Sequence, residues 1–130
     1  MQRFLNWPAL RDDYARYHTT AGNRVCHIIG IPLIMLAVVR WVGPAAAVVL
    51  PLYLVWHPGL GIAMGLVVAG MAAVAPQLPV WAAPAAFVLG WIFQLAGHSL
   101  YERKSPAFAD NLIHILVGPM WILKELLRCK

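Results

Sequence analysis

Charge is what this sequence has least of. Between Arg40 and Glu102 there is no Asp, Glu, Lys or Arg, a run of 61 residues from Trp41 to Tyr101. Charged residues make up 12% of the 130-residue chain, roughly half the share usual in soluble domains. Mean hydropathy is +0.71. As one helix the run would be about 90 Å long, some three hydrocarbon thicknesses, so it must fold back on itself. A chain this short cannot bury that run in a soluble core and still cover it with polar surface. A water-soluble globular domain is excluded. The composition predicts an all-α fold, a polytopic membrane helical bundle forming a single integral membrane domain over residues 1–130.

Cysteine is nearly absent too. Cys26 and Cys129 lie far apart in or beside apolar segments, so no disulfide and no CxxC metal pair is expected. No basic stripe with interleaved aromatics is present, which argues against nucleic acid as a partner despite the net charge of +5. The N-terminus carries charges where a signal peptide needs an apolar core, so no cleaved leader is expected.

What is there divides cleanly. Residues 3–18 mix Phe4, Leu5, Trp7, Leu10, Tyr14 and Tyr17 with Arg3, Arg11, Asp12, Asp13 and Arg16, and Pro8 suits a first helical turn after Asn6 or Trp7. This predicts an N-terminal amphipathic helix at the interface. Thr19 to Asn23 breaks the pattern. Apolar segments follow over 25–42, 45–56, 60–75, 80–101 and 107–127, separated by Gly43-Pro44, by His57-Pro58-Gly59, by Pro76 and Pro79, and by Ser105-Pro106. Ser105-Pro106 reads as an N-cap with proline at the first helical position. Four to five hydrophobic helices are expected. The second segment reaches only about 18 Å as an α-helix, so residues 44–76 either span as short helices or form a re-entrant hairpin.

Either way, parity of crossings puts His18, His27, His98 and His114 at the membrane face that holds the N-terminus. His57 joins them only if the hairpin spans fully. Arg3, Arg11, Arg16, Arg24, Arg103 and Lys104 lie on that near side, against Arg40, Lys124, Arg128 and Lys130 on the far side. The excess favours a cytoplasmic near face.

Ionisable groups at membrane depth are costly and usually have a partner or a task. One histidine there would read as a hydrogen-bonded interface residue. Four on one face read as a metal site, with His18, His27, His98 and His114 as ligand candidates. Gln94, His98 and Glu102 recur every four residues on one helical stripe, as do Tyr14 and His18, and Asp110 and His114. Asp110 is placed to orient the His114 imidazole. His18 and His27, nine apart, would point to opposite faces of one helix, and a break at Gly22-Asn23 would turn them together. His57, on a turn before Pro58, reads as a capping residue. Spacing alone does not choose among Fe, Zn, Cu and Ni. Membrane di-iron hydroxylases need about twice as many histidines and are disfavoured. A haem between His27 and His98, and a non-enzymatic protein with structural histidines, stay open on spacing alone.

Two stretches go further. Tyr14-x2-Tyr17-His18-x4-Asn23-x3-His27-x4-Pro32 and Gly90-Trp91-Ile92-Phe93-Gln94-x2-Gly97-His98-x3-Glu102-x3-Pro106-Ala107-x2-Asp110-Asn111-Leu112 resemble the fungal and bacterial 2-hydroxy-fatty-acid dioxygenases. The resemblance covers essentially the whole chain, the middle hairpin by hydrophobicity only. It implies Fe(II) as cofactor, and O2 and a 2-hydroxy fatty acid as substrates. The acid would lose one carbon by α-oxidation, as in phytosphingosine breakdown. It carries over His18, His27 and His98 as ligands, with His114 beside them and Gln94, Glu102, Asp110 and Asn111 as further site residues. It also implies a multi-pass protein, in a bacterial inner membrane or the endoplasmic reticulum, with its site on the cytoplasmic face.

Overall fold

A computed structural model describes residues 2–128; the side chains of Arg3 and Asp110 lie outside the description, as do Cys129 and Lys130. All regular structure among the described residues is helical: α1 (Gln2–Leu5), α2 (Trp7–Ala15), α3 (Ala21–Val42), α4 (Leu50–Trp56), α5 (Pro58–Val74), α6 (Ala82–Ala96), α7 (Ala107–Asp110) and α8 (His114–Leu127). Tighter 3-10 turns fill Gly43–Val49 and Ala75–Gln77, and a wider π turn continues α6 over Gly97–Glu102.

Three stretches are long and apolar enough to cross a membrane: Ala21–Trp56, Pro58–Gln77 and Ala82–Glu102. That is fewer than the four to five separate helices expected. Two of the expected five are present but short. α4 has 7 residues and follows the 3-10 turn Gly43–Val49 without a gap, and α8 has 14. The α3 leg runs about 33 Å, enough for one crossing. It ends at Gly43, whose φ of 59° is a left-handed conformation that suits glycine. The return leg succeeds because half of it is 3-10. Seven residues at about 2.0 Å and seven at 1.5 Å reach roughly 25 Å, about the length of α5. This leg ends against the N-terminus: Trp56 Nε1 donates to the Phe4 carbonyl (2.7 Å) and its ring stacks on Trp7 at 5.9 Å. The hairpin therefore brings His57 back to the near side. There His57 N-caps α5, its Nδ1 accepting from Leu60 N (3.1 Å).

Two other boundaries move. The break between the first helix and α3 lies upstream of Gly22-Asn23, because Thr20 caps α3 with its hydroxyl accepting from Asn23 N (3.3 Å). Gly22 and Asn23 are already inside the first turn. The 107–127 segment is also broken. Pro106, not Ser105, is the N-cap of α7, and at Asn111 the carboxamide oxygen accepts from Ile113 N (3.2 Å), replacing a helical bond by an Asx-type turn.

The N-terminal helix begins as expected, with Asn6 accepting from Ala9 N (3.2 Å) and Pro8 in the first turn. Its apolar stripe is covered by protein: Trp7, Leu10 and Tyr14 are buried, and Tyr14 packs on Trp121 of α8 at 5.3 Å. α3 and α6 cross closely through small residues. A Cβ on Gly30 would lie 2.7 Å from the Gly90 carbonyl, and one on Gly90 equally close to that of Gly30. Near the helix ends a Cβ on Gly97 would collide with Asn23 Oδ1 and reach 3.0 Å from Cys26. These approaches set His27 of α3 opposite His98 of the π turn. Outward-facing Val25, Ile62, Leu66, Val88 and Ile92 remain exposed, as lipid-facing side chains do.

Candidate metal centre

Three histidines from three separate segments converge at the near end of the α3–α6 crossing. His18 comes from the link after α2, His27 from α3 and His98 from the π turn, and all are buried. One donor nitrogen from each lies within 4.8 Å of the others. Among the described residues no other group of this kind occurs. The rings stand nearly perpendicular in pairs, with centroids 4.2, 4.9 and 4.8 Å apart.

The helix backbone sets the tautomers. His18 Nδ1 lies 2.7 Å from the Tyr14 carbonyl and His27 Nδ1 lies 2.9 Å from the Asn23 carbonyl, each four residues back. A carbonyl only accepts, so each Nδ1 carries the proton and each Nε2 presents a lone pair inward. His18 Nε2 is buried with no hydrogen-bond partner among the described residues. His27 Nε2 and His98 Nε2 are 3.1 Å apart. Two nitrogens held at about 2.1 Å by one ion stand roughly 3.0–3.4 Å apart, so this spacing suits a shared cation. Burial holds the His18 imidazole far below its ordinary pKa, to about 3, and the neighbouring His27 ring adds to the effect. It is neutral at physiological pH, as a metal ligand must be.

The remaining expected residues fall into different places. Glu102 is buried one turn beyond His98 and accepts from Thr19 Oγ1 (2.8 Å), Thr20 N (2.7 Å) and Thr20 Oγ1 (3.0 Å). It ties the His18 link to the π turn. Arg24 donates to the His18 carbonyl (2.9 Å). Gln94 is buried one turn below His98, with Nε2 unpartnered among the described residues. His114 is buried near Tyr14, at 5.7 Å between ring centroids, and lies outside the group of three. Its Nε2 pairs with Asp13 Oδ2 at 2.8 Å. Asp13 is a carboxylate on that ring that the spacing does not suggest; the Asp110 side chain lies outside the described residues. Asn111 is exposed and shapes the turn before α8. Sequence reasoning missed Asp13, Thr19 and Thr20, whose partners are 82 to 101 residues away. The Asn23–His27 spacing of four was the one local signal available for Asn23.

Glu102 is the cheapest residue to test. It ties the His18 link to the π turn through Thr19 and Thr20, so Glu102→Ala should loosen that link. Metal affinity should fall on the order of tenfold, the low end for outer-residue loss, by competition with a chelating dye, with helicity by circular dichroism unchanged.

The three histidines line the head of a cavity of about 520 Å³. Gln94 and His114 also line it, and Ile31, Met35, Val38 and Val42 carry its lining along α3 to the exposed far end of that helix. That volume is in the range of small-molecule sites. One end is polar and the rest is hydrocarbon-like.

The family model described as "2-hydroxy-palmitic acid dioxygenase Mpo1-like" matches residues 5–130. The chain belongs to the Mpo1-like family. A relative from Saccharomyces cerevisiae, named 2-hydroxy-palmitic acid dioxygenase MPO1, is 48% identical over 42 residues, 32% of this chain. The match spans about a quarter of the yeast protein's length, 24%. No solved structure matches the chain. In this Mpo1-like chain the histidine cluster and the apolar cavity sit end to end, at the near end of three potential membrane crossings.

Proposed function

We propose that this chain is an iron(II)-dependent dioxygenase that shortens 2-hydroxy fatty acids by one carbon. The observation that carries the reading is the junction of three inward-facing imidazoles with a long apolar cavity. The donor set is all imidazole nitrogen, which suits iron, and contains no thiolate of the kind a closed structural zinc site recruits. His18, His27 and His98 would hold the ion from one side. Iron(II) so held supplies Lewis acidity and the one-electron chemistry that O2 requires.

The protein's own residues do the rest. The backbone carbonyls of Tyr14 and Asn23 fix the ring orientations, and Glu102 keeps the two histidine-bearing segments in register. The Gln94 carboxamide, unpartnered at the cavity head, donates to the carboxyl or hydroxyl oxygen of the substrate. His114, held by Asp13, faces the substrate's polar head in this reading rather than acting as a fourth ligand. Apolar walls along α3 receive the acyl tail and keep water from the reacting carbon.

Without an added reductant the balance is fixed. The C1–C2 bond breaks, C1 leaves as CO2, and C2 is oxidised from alcohol to a new carboxyl. The substrate's four electrons reduce one O2, giving one water. The basic residues clustered at the histidine end support a cytoplasmic site in a bacterial inner membrane. The test is the product. Iron-loaded protein under air should convert 2-hydroxypalmitate to the acid one carbon shorter and leave palmitate unchanged, by mass spectrometry. Equal treatment of the two acids would refute the role of the 2-hydroxyl.

A further inference from the structure

The far end of the cavity is crossed by the 3-10 turn Gly43–Val49, which lines it with Ala46 and Val49. Both are half-buried and pack against the core cluster. From His27 to Val42 the cavity follows α3 for 15 residues, or about 22 Å. An all-trans hydrocarbon advances about 1.25 Å per carbon, given a 1.52 Å bond and an angle near 111°. The wall therefore accommodates about 18 carbons before the turn is reached. At that position the chain presents alanine, the smallest side chain with a Cβ.

We infer that this turn is a chain-length ruler, with Ala46 setting the longest acyl tail the site accepts. The inference rests on the substrate class proposed above. Polar lining is confined to the histidine end, so the head group is anchored there. A tail longer than the cavity must leave its last carbons outside or fold them back. Each methylene excluded from apolar burial costs about 0.8 kcal/mol, close to fourfold in affinity.

Ala46→Phe would extend a side chain roughly 4 Å into the cavity, the length of about three carbons. In iron-loaded protein in lipid nanodiscs it should lower kcat/KM for 2-hydroxy acids near the limit on the order of fiftyfold. Acids several carbons shorter should stay within about twofold of wild type. Val49→Ala should move the limit the other way, towards longer chains, which misfolding cannot mimic. Leu66→Phe, on the exposed face of α5 away from the cavity, should change neither. Native mass spectrometry of the same preparations reads chain-length-dependent binding without turnover. If binding limits shift in opposite directions while no acid is turned over, the ruler stands and the dioxygenase reading falls. If turnover occurs but Ala46→Phe and Val49→Ala leave both profiles where wild type has them, the ruler is wrong.

Discussion

His98→Ala protein should purify with almost no bound metal and show no detectable turnover. His98 is the residue through which α6 joins the cluster, and its Nε2 sits 3.1 Å from that of His27. Removing it leaves two donors from neighbouring segments, His18 and His27, and opens the third side. The loss should exceed the roughly 10–100-fold typical when only an outer residue is lost. The fold should survive, because the α3–α6 crossing is made by Gly30 and Gly90 deeper in the bundle. His98→Gln separates the two roles. An amide restores a hydrogen bond to His27 but supplies no imidazole, so it should keep wild-type thermal stability and still fail to hold metal. Metal content by elemental analysis, on protein of unchanged helicity, checks both. Wild-type metal occupancy in His98→Ala would remove His98 from the centre.

Replacing iron by zinc should abolish turnover as completely as deleting a ligand, with the site full. Zinc stands above iron(II) in affinity for imidazole sites of this kind, so it should displace iron and bind at least as tightly. It has no redox chemistry to offer O2. Zinc-loaded protein should therefore bind the 2-hydroxy acid and consume no oxygen. Removal of zinc and addition of iron(II) should restore the activity. Oxygen uptake by a fully zinc-loaded sample would mean that the three histidines are not the redox centre.

Much of this architecture is legible in the sequence, and what is not has a physical cause. The charge-free run forces several crossings, and counting them places His18, His27 and His98 on one face. That argument needs only chain direction, so it survives the boundary changes at Thr20 and Gly97. The second segment is different. Whether it spans turns on the 3-10 geometry of Gly43–Val49, which gives more length per residue than an α-helix and leaves no clear periodic trace. His114 shows a second boundary of sequence reasoning. Its ring pairs with Asp13, 101 residues away, a partner that no local spacing announces. Glu102 sits on the stripe its spacing predicts, yet its role depends on Thr19 and Thr20, brought in by the fold from the other end of the chain. Local spacing finds which residues share a helix face. It does not show which partner that face will meet.

The central claim is that three histidines hold iron at the head of an acyl-chain cavity and cleave C1 from a 2-hydroxy acid. One preparation tests it: wild-type protein loaded with iron under anaerobic conditions, its metal counted by elemental analysis, then given 2-hydroxypalmitate and air. The account predicts one iron per chain, one O2 consumed per acid, and a product shorter by one carbon with CO2 released. Protein carrying a full equivalent of iron that leaves 2-hydroxypalmitate intact would contradict it.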